Sequence, residues 1–258
     1  MRIIEEIRQL QADAATIALK INHAKTKLMK IGNYSDFSSI MVNDNIITAE
    51  QCIKHLGLFI PTDFKFKEHI NYLSKRCIGM SVFFTRTIKK LSLRLTVFLT
   101  YILPIIEYCS EIFAPVTHCM SVKIEKILVN FLRFLFPNLS SYKARLSYTN
   151  LQPLWFRRHI RVLTFVHKCL THIPLESLPI NSTQHQTRNS SNAIRPINVH
   201  SLFTRSVPLH RNTRIYNSLP LGIRQTTNLS KFKELASNHF SILYLYNNED
   251  LIRNRFIE

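Results

Sequence analysis

The hydrophobic pattern of this sequence changes its period at Lys67. Before that residue, short apolar runs alternate with polar, turn-forming residues, which is typical of brief β-strands. After it, apolar residues recur every three or four positions, beginning with Ile70, Leu73 and Cys77, and this spacing puts them on one face of a helix. The sequence therefore predicts an α+β fold, predominantly α, with a small β-containing lobe followed by a helical lobe.

The first lobe is predicted to combine one helix with several short strands. Residues 3–20 place their apolar side chains on a single helical stripe, and Lys27–Ile31 is a candidate strand. Ile40–Val42 and Ile46–Thr48 flank an Asn-Asp-Asn sequence, so we expect a hairpin there. Ile53–Ile60 is predicted as one further strand that a proline ends.

The helical lobe is predicted to contain four apolar helical segments. They are the helix from Lys67, Leu91–Phe113 with a kink or break at Pro104, Lys123–Phe136 and Leu154–Leu170. Residues 173–200 are rich in proline, serine, asparagine and threonine, which is typical of a linker, and a last helix is predicted at Leu229–Leu245. The predicted domains are residues 1–66, residues 67–172 and a loosely attached C-terminal segment, residues 173–258.

Positive charge is concentrated in the helical lobe. The chain of 258 residues has 34 Lys and Arg against 16 Asp and Glu, a net charge of +18, and residues 61–178 carry 17 against 6. This balance favours a polyanionic partner, either nucleic acid or an anionic membrane surface. The longest uncharged apolar run, between Arg94 and Glu107, has about half of the roughly 20 residues that a membrane span needs. We therefore expect no membrane span.

Several classes of site are not supported by the composition. The sequence has only 4 glycines, which disfavours Gly-rich phosphate loops. Its 5 cysteines have no zinc spacing, so we expect reduced thiols, no disulfide partner and an intracellular protein. Glu107 and Glu111 lie four residues apart, on one face of an apolar helix beside a basic lobe. We therefore expect them to form ion pairs rather than to bind a metal or act in acid–base chemistry. The aspartates are scattered, which argues against a two-metal site within this sequence: Asp13, Asp36, Asp44, Asp63 and Asp250.

Two basic tracts supply the candidate nucleic-acid-binding residues. Each tract is interleaved with aromatic side chains, Tyr72, Phe83 and Phe84 in the first and Trp155 and Phe156 in the second. A solvated helix face is the alternative for both, and for the second tract the two interpretations are equally supported. The candidates are Lys65, Lys67, Lys75, Arg76, Arg86, Lys89 and Lys90 in the first tract and Arg157, Arg158 and Arg161 in the second.

Several segments stand in a characteristic order along the chain. They are LKINHAKTKLMKIG, IKHLGLFI, DFKFKEHINYLSKRC, YILPIIEYCSEIFAP, IEKILVNFLRFLF, YKARLSYTNLQPLWFRRHIRVLTFVHKCL and RIYNSLPLGIRQTTNLSKFKELA. In this order they resemble the end of the palm, the primer grip, the thumb and the C-terminal segment of a reverse transcriptase from a non-LTR retrotransposon, of the LINE or jockey-like kind. The similarity extends from about Ile3 to Leu245.

The resemblance implies a function and a few site residues. Lys25 matches a motif lysine that is proposed to protonate the leaving pyrophosphate, and Leu56 and Gly57 match the primer grip. For the full-length family enzyme it implies RNA-directed DNA synthesis with Mg²⁺ and deoxynucleotides, a template–primer of RNA or DNA, and a nuclear location. The family's paired catalytic aspartates would precede residue 1.

The expected function is accordingly that of a truncated reverse transcriptase, inactive alone and binding no metal or cofactor by itself. The alternative is a residual nucleic-acid-binding module that uses the basic helices without catalysis. A helical protein-interaction domain, whose charge keeps it in solution, is the third possibility.

Overall fold

Helices form most of the described chain and are accompanied by small antiparallel sheets of two strands each. The structure, a computed structural model, describes residues 2–31, 38–42, 45–114, 117–172, 180–182, 194–196 and 208–246. Two units separate, Met1–Asp63 and Phe64–Glu258. The predicted class, α+β and predominantly α, is confirmed.

In its described residues, the first unit has one α-helix, a short 3₁₀ turn and two hairpins. Ile40, Val42 and Ile47 form its small buried core, against which Ile7 and Leu28 pack. The predicted hairpin around residue 44 is present in the described residues, with Ile40 opposite Ile47. The elements are α1 Arg2–Thr16, β1 Ser39–Val42, β2 Asn45–Thr48, β3 Cys52–His55 and β4 Leu58–Pro61.

The prediction of one strand over Ile53–Ile60 is wrong, because the chain reverses direction at Leu56 and Gly57. Strands β3 and β4 pair antiparallel across this two-residue turn. Both turn residues have positive φ, 46° for Leu56 and 87° for Gly57, as a tight turn between twisted strands requires. The predicted strand Lys27–Ile31 is reduced to a single parallel bridge between Leu28 and Ala49.

The second unit is built from helices that enclose an apolar interior. All six residues predicted to point inward from the third helical segment are buried: Ile124, Ile127, Leu128, Phe131, Leu132 and Leu135. The elements are α2 Lys67–Thr87, α3 Leu91–Val97, α4 Leu103–Glu107, α5 Ser110–Phe113, α6 His118–Leu135, α7 Tyr142–Thr149, α8 Leu154–His172, β5 Ile180–Ser182, β6 Ile194–Pro196, α9 Pro208–Asn217, α10 Leu221–Arg224 and α11 Leu229–Tyr246.

The segment Leu91–Phe113 breaks after its proline rather than at it. A π-helical stretch, Phe98–Ile102, joins α3 to α4 and leads into Pro104 in the first turn of α4. Such a wide turn is one way in which a helix accommodates a residue that cannot donate a backbone hydrogen bond. The break comes at Cys109, whose φ of 54° is left-handed.

The helices from the predicted loose C-terminal segment pack firmly on α8. Phe156, Ile160, Leu163 and Val166 of α8 share one buried cluster with Tyr216 of α9, Leu219 just after it, and Phe232, Ala236 and Phe240 of α11. The His167 ring stacks on Phe232, with 3.7 Å between ring centroids. The described part of residues 173–258 therefore belongs to the second unit; most of the predicted linker, 173–200, lies outside the described residues.

Candidate nucleic-acid interface

Helix α2 has one buried face and one basic, aromatic face. Ile70, Leu73 and Cys77 point into the apolar interior, as the sequence predicts. Since an α-helix turns 100° per residue, the side chains at positions 72, 75, 76, 79, 83 and 86 lie on the opposite side. We define the outer face of α2 by five of these residues, all of them exposed: Tyr72, Lys75, Arg76, Phe83 and Arg86.

Aromatic rings of the outer face remain open to solvent. Tyr72 is 37% exposed and Phe83 is 61% exposed. The Arg76 guanidinium lies close to the first ring, with Nη1 3.4 Å from the Tyr72 hydroxyl oxygen. The outer face therefore presents ring surface and positive charge side by side.

Further lysines extend this basic surface beyond both ends of α2. Lys65 and Lys67 are exposed on either side of Phe66, which is fully buried at the start of the helix with φ 57°. Lys89 and Lys90 are exposed where the helix has ended. All seven candidate cations of the first tract thus lie on the surface of the second unit, as phosphate binding requires.

The second tract is used differently, because its arginines bind carboxylates of the same unit. Arg161 donates from Nε to Glu111 at 3.0 Å and from Nη1 to Glu107 at 3.5 Å, and Arg157 also pairs with Glu107. Two guanidinium groups and two carboxylates balance one another here. The predicted ion pairing of Glu107 and Glu111 is confirmed, and Arg157 and Arg161 hold α8 against α4 and α5.

Arg158 is not a surface residue at all. It is 3% exposed, and its Nη2 lies 3.5 Å from Oγ of Ser121 on α6. Burial lowers the pKa of its guanidinium, an effect that the neighbouring Glu125 carboxylate opposes. The prediction that Arg158 contacts nucleic acid is therefore corrected, because its position on α8 points into the interior.

Glu125 is a structural residue that sequence reasoning missed. Its carboxylate accepts hydrogen bonds from the Tyr142 hydroxyl at 2.6 Å and from the backbone amides of Leu154 and Trp155 at 3.0 and 2.9 Å. A carboxylate at a helix N-terminus satisfies free amides and is stabilised by the helix dipole. One signal was visible, since Glu125 is an acidic residue within the apolar stripe of α6.

The family-derived candidates lie in the first unit. Lys25 is exposed in a 3₁₀ turn, His23–Lys25, and its backbone amide is capped by the side chain of Asn22 at 3.2 Å. Leu56 is 78% exposed at the tip of the β3–β4 hairpin. An exposed leucine with positive φ is uncommon, and backbone strain of this kind occurs often at ligand-contacting turns.

The described part of the chain offers neither a metal cluster nor a membrane-spanning helix. Within the described ranges, no three side chains of His, Cys, Asp or Glu gather in a group suited to a metal ion. None of the described helices combines the length and the apolar character needed to cross a bilayer.

Comparison with family models, curated proteins and solved structures finds no match to this chain.

Proposed function

We propose that this chain binds nucleic acid non-specifically through the outer face of α2 and the lysines that flank it. The observation that carries the proposal is the contrast between the two basic tracts. Arg157 and Arg161 are paired with glutamates, whereas among the described residues Lys75, Arg76 and Arg86 form no ion pair. Unneutralised charge on one surface attracts a polyanion.

Binding of this kind depends strongly on salt. Each cation that neutralises a phosphate releases a counterion, so affinity falls as salt rises, with a slope that reports the number of contacts. The proposal predicts tight binding of RNA or DNA at low salt and a steep loss at higher salt. Binding that does not vary with salt, or no binding at low salt, contradicts it.

A matched pair of triple variants tests the location of the surface. Arg86→Glu, Lys89→Glu and Lys90→Glu together should weaken binding at least tenfold and flatten the salt slope by about 2 if all three contact phosphates. The control reverses three exposed lysines elsewhere: Lys126→Glu, Lys231→Glu and Lys233→Glu. Both variants change the net charge equally, so an equal loss of affinity in the control would refute a localised interface.

The second part of the proposal concerns lineage. The ordered motifs support descent from the primer-grip and thumb part of a non-LTR retrotransposon reverse transcriptase, and the strained, exposed tip at Leu56 fits a turn that touches a primer end. An intracellular, nuclear location belongs to the same proposal. Lys25 is then the residue that would lie near a leaving pyrophosphate.

Polymerisation is not assigned to this chain alone. Mg²⁺-dependent nucleotidyl transfer needs clustered carboxylates, and among the described residues no such group gathers. A primed RNA template incubated with the purified chain, Mg²⁺ and deoxynucleotides should show no extension. Extension that persists in a Lys25→Ala control would place the activity in a contaminant, and extension lost in that variant would overturn the assignment.

A further inference from the structure

We infer that the outer face of α2 prefers single-stranded nucleic acid to a duplex, because bases stack on Tyr72 and Phe83. This inference rests on the proposed function and adds the class of nucleic acid to it. Stacking on exposed aromatic rings contributes substantially to the binding of each base, and it is tolerant of sequence because every base has a π-face.

The spacing of the two rings suits an extended strand. Tyr72 and Phe83 are eleven residues apart, which is about three helical turns and roughly 17 Å along the axis. They therefore lie on the same side of α2. Gly79 lies between them, and a Cβ there would meet nothing within 4 Å, so the middle of the face is open.

The cations alternate with the rings along the helix. Lys75 and Arg76 follow the first ring by about one turn, and Arg86 follows the second by about one turn. A single strand that stacks a base on each ring thus keeps its phosphates near three positive side chains. In α2 the one acidic residue is Glu68, in the first turn, where the dipole favours it.

A duplex cannot use this face in the same way. Its bases are already stacked on one another, and taking one out costs unstacking free energy. If the duplex stays intact, the rings meet sugar and phosphate, and only the cations contribute to the binding free energy. Charge alone would not favour the single strand, because the duplex has the higher charge density. The aromatic rings are therefore the source of the preference.

The test uses the full chain and an oligonucleotide of about 12 nucleotides, within the range that single-strand-binding surfaces cover. Its complement supplies the matched duplex. The double variant Tyr72→Ala with Phe83→Ala should lose about tenfold or more in affinity for the single strand. Its affinity for the duplex should fall by less than about threefold. The control Tyr148→Ala with Phe165→Ala removes two exposed rings elsewhere and should change neither affinity.

A spectroscopic readout reports stacking directly. The chain has 1 tryptophan, Trp155, so Phe83→Trp adds a second fluorophore on the outer face. Its emission should be quenched by the single strand and much less by the duplex. Circular dichroism of every variant establishes that it is folded, as expected for substitutions at exposed positions.

The outcomes separate this inference from the proposed function. Loss confined to the single strand, with quenching at position 83, supports stacking. Equal losses for single strand and duplex, or no loss for either, overturn the stacking inference and leave the basic interface standing. Failure of the unaltered chain to bind either nucleic acid at low salt overturns the proposed function itself.

Discussion

The Arg161 guanidinium donates a hydrogen bond of 3.0 Å from Nε to Oε1 of Glu111, although the two residues are 50 positions apart. The same guanidinium reaches Glu107 at 3.5 Å. This pairing joins α8 to α4 and α5 and neutralises charge that the sequence suggests for nucleic-acid binding. It divides the positive residues of the second unit into those that stabilise the fold and those that face solvent.

Replacing a carboxylate-paired arginine should lower stability, whereas replacing a solvent-facing arginine should lower nucleic-acid affinity. Arg157→Gln leaves Glu107 with a weakened set of partners in a mostly buried position, so the free energy of unfolding should fall by about 1–3 kcal/mol. Nucleic-acid affinity should stay within about twofold, a change of less than 0.5 kcal/mol. Arg86→Gln should leave stability unchanged and lower affinity. Urea unfolding and fluorescence anisotropy measure the two quantities, and equal effects on both in either variant would contradict this division.

His69 should make the second unit less stable in mild acid. Burial lowers the pKa of this ring from 6.5 to about 4 in the folded chain. The unfolded state therefore binds the proton first as pH falls, so the stabilisation is complete above pH 6.5 and is lost progressively toward pH 4.

The lowered pKa of His69 also sets the size of the expected loss of stability. Between pH 7 and pH 5 this one histidine should cost on the order of 2 kcal/mol of unfolding free energy. His69→Phe, which retains a ring against Phe113, should show a loss smaller by that amount. Urea unfolding at the two pH values measures it, and an unchanged pH dependence in the variant would exclude His69 as the source.

The C-terminal helices should unfold together with α8. Phe232 is fully buried and stacks on His167, so Phe232→Ala should cost about 3–5 kcal/mol. Phe165→Ala, at an exposed position on α8, should cost less than about 1 kcal/mol. Thermal unfolding compares the two. Loss of α11 helicity at a lower temperature than that of α8 would instead show a loosely attached segment.

The β3–β4 turn should respond oppositely to substitutions at its two positions. Leu56→Asn places a residue that tolerates positive φ at the strained position and should stabilise the hairpin by about 0.5–1 kcal/mol. Gly57→Ala adds a Cβ where φ is 87° and should cost about 1–2 kcal/mol. Hydrogen exchange of the β3 and β4 amides in the full chain measures both. Slower exchange in the alanine variant would be inconsistent with this turn geometry.

Local patterns predicted the helices well. The stripe that includes Ile124, Leu128 and Phe131 is buried as expected, because 3.6-residue periodicity sets a helix face without reference to distant residues. Strand prediction failed at Ile53–Ile60, where one continuous apolar run contains a turn. Leucine rarely adopts positive φ, so the pair Leu-Gly does not predict a two-residue turn as the pair Asn-Gly would.

The binding surface was predictable only in part. The first basic tract, including Lys75 and Arg86, is exposed as expected, since the apolar stripe of α2 alone decides which side faces solvent. On α8, basic residues occupy both the intermediate and the buried positions, so periodicity could not separate Arg157, Arg158 and Arg161 from solvent-facing cations. Their carboxylate and hydroxyl neighbours come from α4, α5 and α6, far away along the chain.

By itself, the sequence determined the class of fold, the inward faces of α2 and α6 and the excess of positive charge, because each depends on composition or on spacing within one segment. The tertiary structure decided which charges remain for a partner. Glu107 and Glu111 neutralise part of α8, and α9–α11 cover its apolar face. The outer face of α2 keeps its charge because, within the described residues, no carboxylate pairs with Lys75, Arg76 or Arg86.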